Sequence, residues 1–60
     1  MDEDWIIEIV EDGKRTPLSL PDGTTIHFSS RHIAQRYFRD WRERNGYERN
    51  EVKIKYVKLQ

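Results

Sequence analysis

The side chains able to do chemistry gather in one short stretch. His27 and His32 are the only histidines, and Ser29 and Ser30 lie between them. A serine beside an imidazole is the raw material of a nucleophile and its general base, but that pair also needs an orienting acid and an oxyanion site. No strained G-x-S-x-G elbow accompanies these serines. Two histidines as metal ligands would need two further partners. Asp22 is the nearest carboxylate in the chain, and no zinc-type spacing is present. The serines have a simpler use, since either can cap a helix that starts beside them. Gly13, Gly23 and Gly46 are each used by a turn or a helix stop, which leaves no phosphate-cradling loop. Neither a catalytic set, a metal site nor a cofactor site is expected, and the chain reads as a non-enzyme.

A second chemistry is carried by arginine. Arg31, Arg36, Arg39 and Arg42 fall on the solvent side of the helix expected from Ser29 to Gly46. A helix presenting several guanidinium groups can follow a phosphate backbone or enter a groove, so these four are the candidate nucleic-acid contacts. The competing expectation is internal neutralisation, because Arg36 with Asp40 and Arg39 with Glu43 stand four apart and can pair on a solvated face.

The element that must position these residues is amphipathic. Ile33, Ala34, Tyr37, Phe38 and Trp41 recur at helical spacing and form a stripe about 140° wide. With Ser29 as cap, Phe28 and Ile33 would form a hydrophobic staple. Gly46 suits the left-handed stop, after which Tyr47 can fold back near Trp41. Around this helix the spacing predicts strands. Residues 5–11, WIIEIVE, are rich in isoleucine and valine. Residues 15–20, RTPLSL, make a weaker strand, confined by Pro17 to an edge. Residues 24–28, TTIHF, are short and β-branched. Residues 52–59 alternate most clearly. Turns are expected at Asp12-Gly13 and Pro21-Asp22-Gly23. The fold class is α+β: a small three- to four-stranded sheet with one amphipathic helix packed on one face, the elements running strand, strand, optional strand, helix, strand.

Charge suggests one pairing. With Trp5, Ile7 and Ile9 toward the helix, Glu8 lies on the reverse face. Lys53 and Lys55 lie there too if Val52, Ile54 and Tyr56 face the helix. Opposite charges on neighbouring strands stabilise by a few tenths to about 1 kcal/mol, so the first and last strands are placed side by side. One helix covers one sheet face, yet Ile6, Val10 and Val57 point to the other. These three are the candidate protein interface, for a homodimer or another protein.

Size and composition set the frame. Sixty residues form a single domain, 1–60, with residues 1–4 expected to fray. There is no cysteine to staple it, so seven aromatic side chains must supply core area. Net charge is zero but segregated: residues 1–12 carry six acids and no base, whereas residues 30–60 carry a net charge of +5. A dedicated nucleic-acid module is usually basic overall, which favours protein–protein contact as the first expectation and nucleic acid as the alternative. No apolar run approaches the length of a membrane span, and the acidic start does not resemble a signal peptide, so a cytoplasmic setting is expected.

Overall fold

Strand β1, Trp5–Glu11, is the axis of the fold because its β-branched residues serve both faces of a sheet. A computed structural model of the chain describes residues 3–60. After β1 come β2 at Lys14–Pro17, helix α1 at Arg31–Arg44, and β3 at Lys53–Lys58. The sheet is antiparallel throughout, in the order β2-β1-β3. The expected α+β architecture is present, with one helix on a three-stranded sheet. Of the four terminal residues expected to fray, Met1 and Asp2 lie outside the described residues. Asp4 is tied down, donating to Gln60 O at 3.0 Å and accepting from Leu59 N at 2.6 Å.

The β1–β2 hairpin turns on Asp12 and Gly13, with φ of 49° and 78°. Two successive positive φ values are what a two-residue turn of the primed type requires, and its twist matches that of the strands. β2 ends at Pro17, earlier than the expected Leu20. The Leu18 N–H donates to Ile7 O at 2.8 Å. Alternation then turns the nitrogen of Pro17 to the outer side of the sheet, where a missing N–H leaves no bond unmade.

Residues 24–28 do not form a strand of their own. Their bonds are divided between two partners: Thr25 bridges Ser19, and Phe28 bridges Trp5 with both backbone bonds at 2.8 Å. The chain from Leu18 to Phe28 is thus an excursion that leaves β1 at Ile7 and rejoins it at Trp5.

β3 pairs with β1 so that Glu8 stands opposite Lys55 and Ile7 opposite Tyr56. The first and last strands are neighbours, as the charge pattern implies, and run antiparallel. Among the described residues the Glu8 carboxylate nevertheless pairs with Arg15 of β2, at 3.9 Å.

The core lies between sheet and helix. Ile7, Leu18, Phe28, Ala34 and Phe38 are buried, and Trp5, Ile9, Tyr37, Trp41, Ile54 and Tyr56 pack around them. Phe28 and Tyr37 meet at a ring separation of 5.2 Å, and Phe38, Trp41 and Tyr47 form a stacked series. Ile33 departs from expectation: it is 47% exposed. Ser30, not Ser29, is the cap, so Phe28 and Ile33 are not in staple positions. The helix bears on the sheet along Ala34, Phe38 and Trp41, and Ile33 is turned outward.

Candidate nucleic-acid interface

Helix α1 is held at both ends. Ser30 has extended backbone, and its Oγ accepts from Ile33 N at 3.1 Å, satisfying one of the free donors of the first turn. At the other end Gly46, with φ of 74°, donates to Glu43 O, and Tyr47 donates to Arg42 O. This pair of bonds closes a helix when the residue after the cap is left-handed, and Tyr47 then stacks on Trp41 with ring centres 5.7 Å apart. The fixed ends and the packed stripe set the rotation of the helix, and hence the direction of every arginine.

At about 100° per residue, Arg31, Arg42, Gln35, Arg39, His32 and Arg36 fall in that angular order within one sector about 140° wide. It begins beside the core on the β3 side and ends on the outward surface. Its inner border is aromatic. The Arg31 guanidinium sits 5.4 Å from the centre of the Tyr56 ring, and that of Arg42 sits 6.0 Å from the centre of the Phe38 ring. A cation over a ring face is attracted by the ring quadrupole, which steadies both side chains while leaving their outer edges in water. Burial raises the Tyr56 hydroxyl above its ordinary pKa of 10.0, and the positive charges of Arg31 and Arg42 partly oppose that rise.

The outer part of the sector is more open. His32, Gln35, Arg36 and Arg39 line a shallow depression of about 210 Å³. The ion pairs expected for Arg36 with Asp40 and Arg39 with Glu43 are not formed. Asp40, which lies just beyond Arg36 around the helix, instead pairs with Arg44 at 3.2 Å. Among the described residues neither Arg36 nor Arg39 takes part in an ion pair. Glu43 is the one acid within the sector, toward its C-terminal end.

The chain matches no protein-family model, no curated protein and no solved structure.

The remaining candidates are dispersed. The His27 Nδ1 lies 2.7 Å from Asp4 Oδ1, a contact that clasps the start of β1 to the segment before the helix. His32 stands apart, on the helix. The Ser30 hydroxyl is occupied as the helix cap. Among the described residues no group of three or more His, Cys, Asp or Glu side chains could hold a metal ion. On the reverse sheet face Val10 and Val57 are half-buried, whereas Ile6 is only 9% exposed and offers little area. Among the described residues no helix is long and apolar enough to cross a membrane.

Tyr56 and the depression around Gln35 are absent from the residue types singled out by chemistry alone. The signal for Tyr56 is its place on the helix-facing side of β3. Arg31 and Arg42, three helical turns apart, border the same aromatic surface.

Proposed function

We propose that this chain is a small non-enzymatic binding module, of cytoplasmic setting, that engages nucleic acid through the basic sector of α1. The observation that carries the reading is the segregation of Arg31, Arg36, Arg39 and Arg42 into one sector. Arg36 and Arg39 form no ion pair among the described residues, although Asp40 and Glu43 border the same surface, because Asp40 is drawn to Arg44. An overall charge of zero does not oppose this, because a phosphate backbone meets the local field before the total.

The test is binding of a labelled duplex and a labelled single strand at increasing salt. Three to four phosphate contacts release counterions with a slope of log affinity on log salt of about −2.7 to −3.6, so affinity falls roughly 40- to 150-fold between 50 and 200 mM. Arg36→Glu with Arg39→Glu abolishes the interaction while the helical circular dichroism is kept. Binding that is absent at low salt, or indifferent to salt, refutes the proposal.

A second reading is favoured by Val10 and Val57. Both lie half-buried on the sheet face that α1 leaves uncovered, where self-association would add core to a small domain. Sedimentation over a concentration series decides it. A monomer at every concentration, with Val10→Asp behaving identically, removes the homodimer.

A further inference from the structure

Resting on the reading of α1 as a nucleic-acid surface, we infer that α1 enters the major groove of double-stranded DNA, where Gln35 and Arg39 read base edges and Arg31, Arg36 and Arg42 hold phosphates. The order of residues across the sector is the argument. Arg31 and Arg42 occupy one border and Arg36 the other, with Gln35, Arg39 and His32 between them. A helix with its side chains is about 10–12 Å across, and the major groove of B-form DNA is about 12 Å wide, so residues at the borders meet the two backbones and those in the middle meet the bases.

The chemistry of each position agrees with its place. Gln can donate to and accept from adenine at N6 and N7, and Arg can donate twice to guanine at O6 and N7. The border arginines serve positioning, which needs charge and a fixed direction more than base discrimination. Tyr56 and Phe38 supply that direction by holding the Arg31 and Arg42 guanidinium groups against their rings. Arg31 and Arg42 are eleven residues apart, about 16 Å along the axis, which matches close to five base-pair steps of about 3.4 Å. Glu43, near the C-terminal end of the sector, repels phosphate, but at a base edge it accepts from the cytosine amino group. It therefore adds to discrimination rather than to general affinity. Duplex RNA does not fit this arrangement, because its major groove is deep and narrow and closed to side chains.

The experiment is selection of bound sequences from a randomised DNA duplex pool, followed by salt titrations on the enriched duplex and on a scrambled one. The wild type enriches a core of three to five base pairs, with about 5- to 150-fold discrimination at each base read by a bidentate contact. Arg39→Ala loses preference at one position and keeps it elsewhere. Arg36→Ala weakens binding on all sequences alike and lowers the salt slope by about 1. Both side chains are exposed, and thermal unfolding of the variants confirms that the fold is retained. Salt-dependent binding with no enriched motif overturns base reading while leaving the parent proposal standing. Equal or tighter binding to duplex RNA overturns the groove assignment. No salt-dependent binding to any nucleic acid overturns both.

Discussion

Replacing isoleucine by valine at two positions tests the rotation of α1 and the centre of the core together. Ile7 has no exposed surface, whereas Ile33 is 47% exposed, and the substitution removes the same single methylene from each. At Ile7 the lost transfer free energy is about 0.8 kcal/mol. An unfilled methylene of roughly 25–30 Å³ adds about 0.6–0.7 kcal/mol at about 24 cal/mol per Å³. The sum, about 1.5 kcal/mol, is an upper value because the site relaxes in part. A domain of this length has a total stability of about 3–9 kcal/mol, so the loss is a sizeable fraction of it. Urea unfolding followed by the fluorescence of Trp5 and Trp41 provides the assay. With a slope of about 1 kcal/mol per molar urea, Ile7→Val moves the midpoint down by about 1–1.5 M. Ile33→Val moves it by less than about 0.5 M, since most surface substitutions fall within about 0.5 kcal/mol. Equal shifts, or a larger one at Ile33, would refute the burial pattern. They would mean that the helix is rolled about its axis, and the arginine sector would then point elsewhere.

Ser30→Ala costs about 1 kcal/mol by leaving an N–H of the first helical turn unsatisfied, while Ser29→Ala is close to neutral; thermal melts of the two variants separate them. Tyr56, with its folded pKa raised by burial, contributes stability that is fully present below the unfolded value of 10.0 and is lost as pH rises through the folded value. Tyr56→Phe therefore loses less stability than the wild type between neutral pH and the range above pH 10, and Arg31→Gln, by removing an opposing positive charge, steepens the wild-type loss. Asp22 behaves in the opposite sense: its carboxylate accepts from Thr24 N at 2.8 Å, which lowers its pKa from 3.8. The contribution is present above that pH and is lost as pH falls through the folded value, so Asp22→Ala flattens the acid end of a stability profile.

Much of the fold was legible because local signals agreed with the final packing. The span of β1 follows from its composition. α1 follows from the spacing of Ala34, Tyr37, Phe38 and Trp41, and its closure from Gly46 and the return of Tyr47 onto Trp41. The neighbourhood of β1 and β3 was readable from Glu8 and the lysines, although the carboxylate itself turned to Arg15. What failed was long-range. Nothing local in TTIHF shows that its backbone bonds divide between Leu18 and Leu20 on one side and Trp5 on the other, and nothing near Leu18 marks it as core, since its burial depends on that division. Ile33 has the right residue type for the apolar stripe, but the choice of Ser30 over Ser29 as cap and the line of contact with a narrow sheet set it outside. The arginine sector was visible as a set of residues. Which of its borders meets an aromatic ring of the sheet was not, because that depends on the side of the helix that Tyr56 approaches.

The excursion from Leu18 to Phe28 has a consequence for engineering. Both of its ends are fastened to the same margin of the central strand, by Leu18 N to Ile7 O and by the paired bonds of Phe28 with Trp5. Its tip at Pro21–Gly23 is exposed. Foreign sequence spliced in at that tip would hang from two anchored stems and leave the register of the sheet unaltered, which makes this the natural place to attach a reporter or a second recognition element without disturbing α1.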